Sequence, residues 1–183
     1  MRPSEHDARG SAPSANRSDA HDFTRSESWS GRSDSKDAPA GDVVIVASRY
    51  HQAACDSMLQ AAAATFLQAG FSQGSIRVVR VPGAWELPLA VQAVVQRPQT
   101  LGVVAIGVVI RGETTHDEHI NRAVSLELMR LGTDSGKPVA LGLLTCNNQD
   151  QVAARTGGEL GNKGEEAAVA AVEMIRLIRA IGT

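Results

Sequence analysis

Cysteine is scarce in this sequence: two residues in 183, Cys55 and Cys146, with no C-x-x-C. That excludes the disulfide-dense framework of a small secreted domain, and a reducing cytoplasm is the expected compartment. No apolar run approaches the ~20 residues of a membrane helix. The N-terminus also lacks the continuous apolar stretch of a signal peptide, so a soluble chain with no membrane partner is expected. Positive charge is not in excess either. Eighteen Lys+Arg stand against 20 Asp+Glu for a formal charge of −2, which leaves no global field to hold a nucleic-acid backbone. Neither a G-x-G-x-x-G run nor a Walker loop occurs, so dinucleotide and nucleoside-triphosphate enzymes lose support.

Val, Ile and Leu are missing from Met1 to about Ala40, a stretch holding nine Ser, six Lys+Arg and seven Asp+Glu. Such a segment buries too little apolar surface to offset its ordering entropy. It is expected to be a disordered polar tail over residues 1–40, followed by one domain over 41–183. Its Arg and Ser content suggests a transit peptide, but Asp7, Asp19, Asp22, Glu27, Asp34 and Asp37 argue against that. A solvated extension or an over-extended start is the plain reading. A docking segment using Phe23 and Trp29 is the sharper one.

From Asp42 onward, short β-branched runs alternate with helical periodicity. Val43–Val46, Ile76–Val79, Val103–Ile110 and Val139–Leu144 read as strands. Met58, Leu59, Ala62, Ala63, Phe66 and Leu67 recur at helical spacing, with Gly70 placed to end the helix. Further helices are expected over Leu87–Gln96, around Ile120–Leu131, over Gln149–Ala154 and over Gly164–Ile181. The last has Glu165 and Glu166 at its start and Arg176 and Arg179 near its end, which suits the helix dipole. Four strand-helix alternations indicate an α/β fold, a three-layer α/β/α sandwich with a four-stranded parallel sheet and flavodoxin-like winding. The third strand, apolar on both faces, belongs at the centre. Ligands of such sheets bind beyond the carboxyl ends of the strands, so the four βα loops are the places to look.

The loop Arg111-Gly112-Glu113-Thr114-Thr115-His116-Asp117-Glu118 is the most informative. Thr115 and Glu118 have the spacing of a capping box, which starts a helix here with His116 in its first turn. The amides of Gly112, Glu113 and Thr114 are then free to hold an anion, beside an imidazole able to exchange protons near neutral pH. A phosphorylated substrate fits that pairing; a capped helix with an incidental histidine is the plainer reading. His116 and His119 stand three apart, but no third ligand is evident and a metal site is not expected. Glu86, in Gly83-Ala84-Trp85-Glu86-Leu87-Pro88, either caps a backbone amide or accepts substrate hydroxyls. Tyr50, the sole tyrosine, either stacks on a heterocycle or serves as an ordinary aromatic. Arg155 to Gly164 holds four glycines together with Arg155 and Lys163, an anion-binding loop or the cap of the last helix through Asn162. Cys146 has no local histidine to activate it.

Four of these stretches, Pro82-Gly83-Ala84-Trp85-Glu86-Leu87-Pro88, Val109-Ile110-Arg111-Gly112-Glu113-Thr114-Thr115-His116, Leu143-Leu144-Thr145 and Gly161-Asn162-Lys163-Gly164-Glu165-Glu166-Ala167-Ala168, stand in register from Val43 to Ile181. Together they resemble the 6,7-dimethyl-8-ribityllumazine synthases. The resemblance implies condensation of 5-amino-6-(D-ribitylamino)uracil with 3,4-dihydroxy-2-butanone 4-phosphate, the penultimate step of riboflavin biosynthesis, with no cofactor and no metal. It implies that Tyr50 stacks on the pyrimidine, that Ala84, Trp85 and Glu86 hold the ribityl hydroxyls, and that Val108, Val109 and Ile110 meet the uracil edge. Glu113 and Thr114 would bind phosphate, joined by Arg155 from a neighbouring subunit, and His116 would carry the proton. Leu141 would cover the substrate from the adjacent subunit, at a position often aromatic in the family. Asp117 also stands where an aromatic is usual, and Glu165 where Trp is frequent. The implied assembly is a homo-oligomer, a pentamer or a sixty-subunit shell, with riboflavin synthase as a further partner. A non-catalytic flavin- or lumazine-binding carrier or shell protein is the alternative on the same fold; an electron-transfer module lacks the hydroxyl-rich first loop it needs.

Overall fold

The computed structural model describes residues 38–182. Of the expected N-terminal tail, positions 1–37 lie outside the described residues.

Four parallel strands form the sheet: β1 (Asp42–Ser48), β2 (Ile76–Val81), β3 (Thr100–Ile110) and β4 (Val139–Cys146), in the order β2-β1-β3-β4. The helices are α1 (Gln52–Gln68), α2 (Leu87–Val95), α3 (His116–Ser135), α4 (Gln149–Arg155) and α5 (Lys163–Gly182). Each strand runs one or more residues past its β-branched run, because the flanking Asp42, Thr100 and Cys146 still find ladder partners. The expected α/β sandwich is the observed fold.

Side-chain alternation along the strands divides the core into two. Val43, Ile45, Ala47, Val104, Ile106 and Val108 join one cluster with Met58 and Phe66 of α1 and Ala168 and Ile175 of α5. Val44, Val46, Val103, Ala105 and Val109 join the other with Leu87 and Val91 of α2 and Val124 and Leu128 of α3. A strand with helices on both faces must be apolar at every position, which is why β3 reads as an unbroken apolar run. Gly107 makes room within it: a Cβ there would sit 2.8 Å from Leu143 Cδ1 and 3.1 Å from Leu87 Cδ1.

Two features were not foreseen. A short antiparallel pair, β5 (Thr156–Gly158) and β6 (Gly161–Asn162), folds the glycine-rich stretch into a hairpin before α5. Asn162 Oδ1 then accepts from the amide of Gly164 at 2.9 Å, capping α5 as expected. The Thr115–Glu118 capping box does not form. Thr115 sits at φ −79°, ψ 11°, not the extended backbone an N-cap needs, and its side chain makes no cap bond; Oγ1 lies 3.5 Å from His119 Nε2 instead. No helix of the described residues is long and apolar enough to cross a membrane.

Candidate active site

A parallel sheet delivers the carboxyl ends of all its strands to one edge, and the loops leaving β1, β2, β3 and β4 meet there around a pocket of about 570 Å³. That volume suits a small organic substrate. From the sequence-derived set, Tyr50, Ala84, Trp85, Val108, Val109, Ile110, Thr114 and His116 line it.

Tyr50 owes its position to Ser48, a polar residue buried at the end of β1. Ser48 Oγ accepts from the Tyr50 amide at 3.0 Å, and that amide also donates to the Pro82 carbonyl at 3.2 Å. The Cys55 thiol donates to the Tyr50 carbonyl at 3.3 Å. The backbone is thus pinned while the ring stays 67% exposed at the pocket, free to stack on a planar ligand. Trp85, 60% exposed, stands at the same pocket from the 3-10 turn Ala84–Glu86. Glu86 itself folds back: its Oε2 accepts from the Gly83 amide at 2.9 Å, tightening that turn, and it is not among the lining residues.

Beyond β3, the Arg111 amide donates to the Cys146 carbonyl at 2.8 Å, the last rung joining β3 to β4. The next three amides, of Gly112, Glu113 and Thr114, have no hydrogen-bond partner among the described residues. They lead directly into the positive end of α3, so unpaired donors and a helix terminus together favour an anion. Gly112 and Thr114 line the pocket; the exposed Glu113 does not. His116, first residue of α3, is exposed and lines the pocket beside them.

Leu141 and Arg155 lie elsewhere. Leu141 belongs to a separate apolar groove of about 840 Å³ between α3, β4 and α5. The half-buried Arg155 donates from Nη1 to the Gln151 carbonyl at 3.1 Å.

Pocket residues given no binding role from the sequence are His51, Ile120 and Gln149, together with Arg111 and Asp117 of the loop already singled out. His51 has φ 54°, ψ 47°, a left-handed backbone that costs a residue with a Cβ roughly 1–2 kcal/mol. Its ring meets Tyr50 edge-on with centroids 4.8 Å apart. A histidine at a left-handed position has no periodic signature, so only the backbone reveals it.

Burial pushes the Cys55 thiol from an ordinary 9.0 up to about 11, with nearby Arg80 opposing the rise. Burial likewise raises the Cys146 thiol against the influence of Arg155. Both thiols are protonated at neutral pH, which fits packing and not nucleophilic work.

Residues 41–179 match the sequence profile of 6,7-dimethyl-8-ribityllumazine synthase. A protein of that name from Rhodopirellula baltica is 53% identical over 139 residues, covering 76% of this chain and 90% of the relative. Another, from Xanthomonas campestris pv. campestris (strain B100), is 41% identical over 135 residues, covering 74% of this chain and 88% of the relative. With an exposed tyrosine, unpaired loop amides and an imidazole around one pocket at the end of the matched sheet, the profile match and these relatives place this protein in the 6,7-dimethyl-8-ribityllumazine synthase family.

Proposed function

We propose that this chain is the transferase that condenses 5-amino-6-(D-ribitylamino)uracil with 3,4-dihydroxy-2-butanone 4-phosphate to 6,7-dimethyl-8-ribityllumazine. The observation that carries the reading is the gathering of Tyr50, His116 and the loop of unpaired amides around one cavity.

The 5-amino group attacks the ketone, and loss of water gives a Schiff base. Phosphate then leaves, the resulting enol reverts to a carbonyl, and the ribityl-bearing nitrogen closes the ring with loss of a second water. Tyr50 stacks on the pyrimidine. Ala84, Trp85 and Glu86 hold the ribityl chain, and backbone groups of Val108, Val109 and Ile110 meet the uracil edge. The amides at Gly112–Thr114 and the Thr114 hydroxyl hold the phosphate, with Glu113 contributing through its backbone. His116 moves protons between amine, carbonyl oxygen and leaving water. No step requires a redox centre, and much of the rate comes from holding two substrates together beside fixed dipoles.

The working form is a homo-oligomer in the cytoplasm, a pentamer or a shell of pentamers, in which Arg155 and Leu141 serve a neighbour's site and riboflavin synthase takes up the product. The apolar groove beside β4, where Leu126, Met129, Leu141, Met174 and Ile178 are all exposed, supports assembly. Within each copy, residues 41–183 form the synthase domain and 1–40 a polar extension outside it.

The deciding experiment incubates the purified full chain with both substrates and follows the fluorescence of the lumazine. Product formation is expected. Tight flavin binding with no product would overturn the reading in favour of a carrier.

A further inference from the structure

Three polar or charged residues are buried among the described residues: Ser48, Thr100 and Asp117. Two are satisfied within the chain, Ser48 by the Tyr50 amide and Thr100 by donating from Oγ1 to the Val94 carbonyl at 2.8 Å. Asp117, only 9% exposed, takes part in no ion pair or side-chain hydrogen bond among the described residues. Its oxygens are not sealed from solvent, since Asn121 Oδ1 is the one buried side-chain polar atom left without a partner among the described residues, so the Asp117 carboxylate reaches an opening and can accept hydrogen bonds from outside the chain.

Its position indicates where. Asp117 lines the 570 Å³ pocket. On α3 it stands three residues before Ile120 and seven before Val124, a spacing that sets all three on one helix face. Ile120 and Val124 pack into the cluster that also holds Ala84 and Leu87, so Asp117 is the pocket-side end of the seam between α3 and the Ala84–Glu86 turn. Its neighbour His116 projects about 100° away around the helix, and adjacent helical residues do not face one another. The other titratable groups lining the pocket are Tyr50, His51, Arg111 and His116. An ionised carboxylate accepts hydrogen bonds and donates none. It repels a phosphate, and it suits a partner rich in hydroxyl donors.

We propose that Asp117 is an additional substrate-binding carboxylate, accepting hydrogen bonds from hydroxyls of the ribityl chain along the Ala84–Trp85 wall and so setting selectivity for the polyol. The inference rests on the reaction proposed above.

The test is calorimetric binding to the full chain of two uracils: 6-(D-ribitylamino)uracil, which lacks the reacting 5-amino group, and 6-methylaminouracil, which lacks the polyol. Loss of a hydrogen bond to a charged acceptor weakens Asp117→Ala binding of the ribityl compound by about 10–100-fold, while the methylamino compound changes by less than about twofold. The near-isosteric Asp117→Asn falls between, and it carries the test if the alanine variant does not fold. In turnover, KM rises for the ribityl substrate and stays within about twofold for the phosphorylated ketone. Equal weakening of both uracils, unchanged binding of the ribityl compound, or an effect confined to the ketone KM each overturns the assignment. A wild-type chain that binds neither uracil and forms no lumazine overturns the reaction itself, a result distinct from wild-type activity with unaffected Asp117 variants.

Discussion

The imidazole of His116 is held at the mouth of α3 with its ring in solvent and no side-chain partner of its own among the described residues. Its replacement therefore removes chemistry and little packing. His116→Ala is expected to lower kcat by roughly 10²–10⁴-fold with a melting temperature within about two degrees of wild type, since surface changes seldom exceed ±0.5 kcal/mol. Stopped-flow lumazine formation and thermal denaturation check the two halves. Cys55 is the opposite case, a fully buried thiol raised to about 11 by desolvation. Below its ordinary 9.0 the thiol is protonated in folded and unfolded chains alike. Between about 9 and about 11 only the unfolded chain ionises, so stability falls as pH rises through that window. Urea midpoints at pH 8 to 11 should decline less steeply in Cys55→Ala than in wild type, and parallel slopes would refute the assignment. At this scale the sequence was readable for which distinctive side chains reach the pocket, as for Tyr50 and His116. It was silent where backbone decides: the strained φ of His51 and the inward aim of Asp117 depend on how α1 and α3 leave the sheet.

Among the elements, α1 and α5 meet main chain to main chain at Gly164. Gly164 opens α5 against the main chain of Met58, and a Cβ there would overlap the Met58 carbonyl group, a neighbour that cannot rotate aside. Gly164→Ala should destabilise the fold by at least about 1–3 kcal/mol, the cost of overpacking a filled contact. Gly112→Ala, where a Cβ meets nothing within 4 Å, serves as the control that leaves the denaturation midpoint near wild type. The strands and long helices were legible because burial on two sheet faces writes a pattern into the chain: no polar side chain in β3 after Thr100, and apolar residues every third or fourth in α1 and α3. The β5–β6 hairpin was not, since glycine carries no periodicity and reads equally as a loop. The Thr115–Glu118 pair misled for a related reason: its spacing is right for a cap, but the turn out of β3 holds Thr115 near ψ 11° and denies it the backbone a cap requires.

For the whole molecule, the question is whether one chain suffices. The pocket is assembled from four loops of a single sheet, yet Arg155 lies outside it, bonded to its own helix. The groove beside the edge strand β4 leaves Leu141 53% and Met129 63% exposed side by side. A head-to-tail ring in which each copy lends Arg155 to the next site accounts for both facts, and it makes a sharp demand on mixtures. Arg155→Ala alone should raise KM for the phosphorylated ketone, and His116→Ala alone should abolish most turnover. Co-expressed in equal amounts and assayed with ketone well below the raised KM, the two impaired chains would form rings in which about a quarter of the sites, those pairing an intact His116 with an intact neighbouring Arg155, regain wild-type turnover. If Arg155 serves its own chain's pocket, no mixed ring contains a repaired site and turnover at low ketone stays at the level of the separate variants. Light scattering on the same samples shows whether rings have formed, and Leu141→Asp in the groove, which buries a charge at the contact, should break them into single chains and take the restored activity with them.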